Sequence, residues 1–398
     1  MFKFNQSQVT GSNELLILSI PNEDMTAEES WNRLVESTQK SNACLSFNFR
    51  FNIPELKVGT LDQLVGLIDD LHKTDDMAER VCRKIVSYFE TVLGQEKDSL
   101  SENLVVGSNR DPFTYVTKFK WDDARFPTRL PLQSLEAMIL KRIGQIESEL
   151  KSRSTTFDAV NQQIQAESKA QQGNLLTKDV SDFVKASDFI LGSESMKTCL
   201  VCVNRGSYQT WYDSYETLST MVVPRSTKLI AEDNDYGLYT VVIFRKIEDS
   251  FVYACRQKGF FVKPFEYDND SITNQAKKRK ELELQRSRLF GPLIRWLKVN
   301  FSESFIDWLH VKALRVYVES VLRYGLPINF QAYVLQPNVK TKKKLNAVLD
   351  KLYSSMGHGP PTLSSNDHKN EDYDDGIEDY KPYVLFTLNL DFTRKHSS

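Results

Sequence analysis

The chain has 398 residues, of which 26% are charged and 40% apolar, and a formal net charge of -2. That length exceeds one typical compact core and predicts two domains, while the near-neutral balance supplies no general basic field for nucleic acid. The longest apolar run near the N-terminus, Leu15–Ile20, is only a strand's length and lacks a charged leader and cleavage site, so the reading is cytosolic.

Beyond that first strand, Phe47, Phe49, Phe51 and Ile53 alternate as a half-buried strand does. Leu61, Leu64, Val65, Ile68 and Leu71 then follow helical spacing, and Val81, Ile85, Val86 and Phe89 place a second helix over 77–93. No nucleotide-binding glycine loop accompanies this mixed beginning.

From Leu132 the pattern changes. Ile139, Ile143, Ile146, Leu150, Arg153, Phe157, Val160 and Ile164 recur by threes and fours, the seam of a coiled coil with one charged position. Helical from 132 to 172, this segment would be roughly 60 Å long, so a returning helix must cover it. The candidate begins at Ile272 and continues through Arg279, Leu282, Arg286, Leu289, Leu293 and Trp296, with Gly291-Pro292 predicting a kink or break. The basic run Lys277–Lys280 reads as a solvated helix face.

Between these helices, strands are predicted at 199–203, 228–232, 239–244 and 260–265, with helices at 207–218 and 247–258. A compact mixed block, inserted between antiparallel arms, gives a dumbbell. Toward the C-terminus a strongly apolar helix runs from Ser304, a candidate cap, to Gly325 and Pro327, with Lys312, Arg315, Glu319 and Arg323 on one narrow stripe read as its wet edge. A strand at 332–335, a helix at 345–353 and a strand at 383–388 follow; residues 354–380, rich in Asp and Glu, read as a disordered acidic loop.

Chemistry is harder to find. No phosphate loop, dinucleotide fingerprint, zinc-protease helix or nucleophile elbow occurs, so no catalytic residue, cofactor or metal site is assigned. The acidic pairs Asp69-Asp70, Asp75-Asp76 and Asp122-Asp123 read as solvated charge or helix caps, and His310 as a satisfied core or edge histidine. Cys199 and Cys202 form a C-x-x-C, but within a strand their thiols point to opposite faces about 10 Å apart, and the five cysteines read as reduced thiols. Interface candidates carry more weight. Trp211 and Tyr212 on a short helix and Arg225 and Lys228 around a turn are the types found at binding hot spots, although core packing also explains the aromatics. Lys342, Lys343 and Lys344 could meet an acidic partner or simply aid solubility.

The run Ala313-Leu-Arg-Val-Tyr-Val-Glu-Ser-Val-Leu-Arg-Tyr-Gly-Leu-Pro327 resembles the C-terminal signature of the C subunits of vacuolar-type proton ATPases (V-ATPases). Further family-like segments are Ile53–Asp62, Phe119–Pro127, Gly173–Leu176, Ser214–Leu218 and Val222–Ser226, in the family's order. The resemblance implies an elongated α+β dumbbell. Its foot would come from 1–130 and 303–398, its antiparallel coiled-coil neck from 131–177 and 269–302, and its inserted α/β head from 178–268. It further implies a non-catalytic stator subunit, linking the ATP-hydrolysing sector to the membrane sector on the cytosolic face of vacuolar membranes and released under regulation. The implied partners are the E and G subunits of the peripheral stalks and the cytosolic domain of the membrane a-subunit, with actin as a secondary one. From the residues alone, a free-standing coiled-coil tether or actin-associated scaffold has the same outline. A thiol oxidoreductase using Cys199 and Cys202 is the weakest alternative.

Overall fold

Two stretches that read as pairs of helices each fold as one. In the computed structural model, which describes residues 13–22, 25–40, 44–94, 100–354 and 381–392, the expected break near residue 75 is missing, and α2 runs unbroken over Leu61–Leu93. No Pro interrupts the segment, and Thr74 and Asp75 at the expected junction are buried with the apolar face. Likewise α8 runs over Asn269–Tyr324 with Pro292 inside it. Pro292 removes one backbone donor, but it and Arg288, whose carbonyl loses that bond, both lie on the exposed side, where water solvates the carbonyl. Ser304 is therefore not a cap. It sits buried in mid-helix, its hydroxyl 3.1 Å from the Phe301 carbonyl. The C-terminal end is as read, with Gly325 at φ +82° and its N–H on the Val321 carbonyl. The acidic segment 355–380 lies outside the described residues.

The chain divides into two units, the first formed by Met1–Ser152 with Leu293–Ser398 and the second by Arg153–Pro292. The first is built on β1 (Glu14–Pro21), α1 (Ala27–Thr38), β2 (Ser46–Arg50), α2, the short α3 (Leu100–Asn103) and α4 (Pro112–Thr117), and α5, which spans Leu132–Gln171 and so continues into the second unit. The second carries β3 (Met196–Asn204), α6 (Tyr208–Ser214), β4 (Lys228–Glu232), β5 (Tyr236–Phe244), α7 (Glu248–Gln257) and β6 (Phe261–Lys263). After α8 come β7 (Phe330–Pro337), α9 (Lys342–Tyr353) and β8 (Val384–Asn389), back in the first unit.

Each unit holds a four-stranded antiparallel sheet, ordered β2-β7-β1-β8 in the first and β4-β5-β3-β6 in the second. Numbered within its own unit, each sheet reads second, third, first, fourth, with a helix after the first and third strands. Both are therefore split β-α-β units of one topology, and the whole second unit is inserted between the second and third strands of the first. This corrects the α/β reading of the inserted block. Strands joined by a helix are separated by an intervening strand, so no parallel neighbours form and the block is α+β.

Packing on these sheets follows their alternation. In the first unit, alternate residues Leu16, Leu18 and Ile20 of β1 pack with Leu34 of α1 and Leu345 and Leu349 of α9. In the second, Cys199, Val201 and Val203 of β3 face Trp211 of α6 and Phe251 and Cys255 of α7, while Leu200 and Cys202 face Leu175, Val180 and Val184. The two cysteines of the C-x-x-C thus sit on opposite faces as expected, and burial pushes each thiol up to about 11, away from thiolate chemistry. No described helix is long and apolar enough to cross a membrane.

Along α5, Ile139, Ile143, Ile146, Leu150, Phe157 and Val160 are buried as their spacing predicts, but Arg153 is exposed rather than in a seam. Within the second unit Phe157 lies 6.4 Å from Phe290 between ring centroids, and Glu167 pairs with Lys278 at 3.2 Å. Numbers rise on α5 as they fall on α8, so these stretches run antiparallel.

Candidate protein interface

The apolar helix that dominates the C-terminal third is the mechanical centre of the first unit. Its charged stripe is a wet edge only at its C-terminal end, where Arg323 is exposed; Lys312 and Arg315 are drawn inward. Asp75 of α2, its side chain 2% exposed, accepts from Lys312 Nζ at 2.8 Å, from Arg315 Nη1 and from the Trp308 indole at 2.9 Å. Arg315 also reaches Glu319 at 3.6 Å and lies 4.5 Å over the Phe386 ring of β8. A second network lies one to two turns earlier, where Asp307 takes Arg142 of α5 at 3.1 Å and Glu303 bridges Arg142 and Arg125 at 2.9 and 2.6 Å. Burial outweighs the arginine and pushes the Asp307 carboxyl up to about 6. Asp75, read from sequence as solvated, is thus an internal counterion, whereas Asp76 stays exposed beside His72.

His310 is a core residue. Phe119, Trp121 and Phe126 surround it with ring centroids at 4.7 to 5.2 Å. Its Nε2 faces the Asp122 backbone N–H at 3.1 Å, which can only donate. The proton therefore sits on Nδ1 and goes to the Ile306 carbonyl at 2.7 Å. Neither that ring nor the Asp75 carboxylate is exposed at the surface.

The predicted interface residues divide between the units. In the second, Trp211 is fully buried, stacked on Tyr215 at 5.6 Å with its indole on Thr227 Oγ1 at 3.0 Å. It is a core residue, as a large aromatic on the inner face of α6 must be. Tyr212, on the outer side, is 46% exposed and meets Tyr239 edge-on at 5.6 Å. Tyr208 completes this aromatic group, its hydroxyl so close to Gly237 that a Cβ there would lie 2.5 Å away. Lys228 is exposed but committed to Asp188 at 2.7 Å. Arg225 is exposed, and its backbone adopts φ +57° with the N–H on Glu216 Oε1 at 2.9 Å. In the first unit, Lys342 pairs with Glu14 at 2.6 Å, and Lys343 and Lys344 stand exposed beside it at the start of α9. Glu216 and Asp188, which fix Arg225 and Lys228, had no signal in sequence because their partners lie 9 and 40 residues away.

Among the described residues no group of three or more His, Cys, Asp or Glu could hold a metal ion. What the surface offers is aromatic and cationic groups on rigid supports, the chemistry of protein recognition. Comparison with known proteins points the same way. The family model for the V-ATPase C subunit matches residues 15–384. This chain belongs to the V-ATPase C-subunit family. It is 44% identical over 385 residues to the V-type proton ATPase C subunit of Caenorhabditis elegans, covering 96% of this chain and 99% of that one. It is 42% identical to the C subunit of Manduca sexta over 96% and 99%, and 43% identical to the 1-A form of the C subunit of Danio rerio over 95% and 99%. Membership of this family connects the chain to proton transport.

Proposed function

We propose that the chain is a non-catalytic stator subunit of the vacuolar proton ATPase, holding the ATP-hydrolysing sector to the membrane sector and supporting reversible assembly. The family match over residues 15–384 carries this reading. Rotation of the central rotor exerts torque on whatever holds the catalytic sector, and an unbraced stator would turn with it. A brace needs two separated contacts and a stiff body, not a reactive group. In this reading residues 178–268, within the second unit, supply the head and dock on one peripheral stalk of E and G subunits. Residues 1–130 and 303–398, within the first unit, form the foot, which meets another stalk and the cytosolic domain of the a-subunit, on the cytosolic face of the membrane. Residues 131–177 and 269–302, which carry α5 and the first part of α8, form the neck. Two contacts on one chain raise the effective concentration of each second contact, so modest individual affinities hold firmly yet release together.

The test is reconstitution. Adding the purified chain to membranes depleted of their own C subunit is expected to restore ATP-driven proton uptake, while the isolated chain hydrolyses no ATP. Failure of the folded chain to restore uptake, or ATP hydrolysis by the chain alone, would contradict the reading.

A further inference from the structure

Only three non-glycine residues among those described adopt positive φ: Cys44, Asn109 and Arg225. Asn tolerates that region through its short polar side chain. Arg does not, and a long side chain there is strained where glycine is not. The turn around it, Val223-Pro224-Arg225-Ser226, has proline at the position whose φ it pre-sets and arginine at the next, where glycine is the residue of least cost.

The surroundings fix this backbone from several sides. Glu216 Oε1 accepts both the Arg225 N–H at 2.9 Å and the Tyr215 hydroxyl at 2.7 Å, and these bonds hold the carboxyl below the usual range. Ser226 Oγ donates to the Val223 carbonyl at 2.6 Å and accepts the Val242 N–H of β5 at 3.1 Å. The Trp211 indole is tied to Thr227. None of these bonds uses the Arg225 side chain, and its guanidinium makes no hydrogen bond or close ion pair among the described residues, acting on the Glu216 carboxylate only as a weaker, longer-range charge. A glycine would serve the fold better, so the fold does not explain the arginine.

The neighbouring surface suggests what does. Tyr212 lies one helical turn before Glu216, and Leu229 opposes Tyr239 across the sheet; they are 46% and 38% exposed, and Met221, two residues before the turn, is 40% exposed. The adjoining charges are already engaged, Lys228 by Asp188 and Asp213 by Gln209. An uncommitted guanidinium on an immobilised backbone, bordered by exposed apolar groups, is the composition of an interface anchor, and its charge selects a carboxylate. One cation among apolar groups is not the polybasic cluster that an anionic membrane selects.

We propose that Arg225 is held in its strained turn to present its guanidinium to a carboxylate on a partner protein that lays apolar side chains over Tyr212, Leu229 and Met221. This rests on the stator reading, which makes the partner the stalk of E and G subunits. The test compares the full chain with Arg225→Gly and Arg225→Lys, by calorimetric titration with purified E–G heterodimer and by thermal unfolding. Arg225→Gly is expected to bind at least tenfold more weakly while unfolding at the same or a higher temperature, because it relieves strain. Arg225→Lys is expected to recover only part of the affinity, since an ammonium cannot form the bidentate pair. Wild-type affinity in Arg225→Gly would overturn the anchor and leave the stator reading intact. A lower unfolding temperature for Arg225→Gly would make the arginine structural and overturn it too. No binding by the wild-type chain would overturn both readings.

Discussion

Asp75→Ala is expected to destabilise the first unit by about 3–5 kcal/mol, the range for removing one partner from a buried ion pair. The cost comes from what the substitution leaves behind. Lys312 and Arg315 have side chains only 7% and 13% exposed, and without Asp75 Arg315 would keep only Glu319, at 3.6 Å, while Lys312 would keep no ion-pair partner among the described residues. The Trp308 indole would also lose its acceptor. Urea unfolding of the full chain, compared with the exposed control Asp76→Ala, measures the difference. A loss below about 1 kcal/mol for Asp75→Ala would show that water or Glu319 compensates and that the network is not a buried counterion system. This anchor joins α2 to α8 and, through Arg315 over Phe386, reaches the edge strand of the first sheet.

The second large effect is a pH dependence. Burial holds His310 down to about 4, because a protonated Nε2 would face the Asp122 N–H inside an aromatic cage. The unfolded chain binds a proton near pH 6.5 and the folded chain does not, so this group's contribution to stability is complete above pH 6.5. It is lost as pH falls toward 4, by about 3 kcal/mol in all. Asp307, one turn away, works in the opposite sense. Its folded carboxyl takes a proton near pH 6 and the unfolded one only near 4, so falling pH through that window offsets part of the loss. Asp122, Arg125, Arg142 and Glu303 complete the charged surroundings of the pair. The histidine's share is therefore read as a difference between proteins. Stability of wild type and His310→Asn is measured from pH 7 to 4, and the wild type is expected to fall by about 3 kcal/mol more. Parallel curves would mean that His310 is protonated within the fold.

Local pattern reveals much of this architecture. Alternation places the strands, three-and-four spacing places α5 and the two halves of α8, and the C-x-x-C thiols fall on opposite faces because strand geometry leaves no other choice. The misses share a cause. Lys312 and Asp75 are 237 residues apart and Arg142 and Asp307 are 165 apart, so neither network leaves a mark in any short window. The apolar rhythm predicts breaks inside α2 and α8 because polar residues and a proline interrupt it. In the fold, buried counterions absorb the former and solvent the latter. The antiparallel character of the second sheet depends on which strand inserts between which, a choice made by tertiary packing. At the surface, residue type picks out Arg225 and Tyr212, but it also picks out Trp211, whose burial only the helix face decides. The positive φ of Arg225 has no signal beyond the preceding proline.

The stator reading is tested most directly by titrating the full chain with purified E–G heterodimer and, separately, with the cytosolic domain of the a-subunit. Saturable binding to each, with both bound at once, is the predicted result. Absence of binding to both partners by a folded chain would contradict the account.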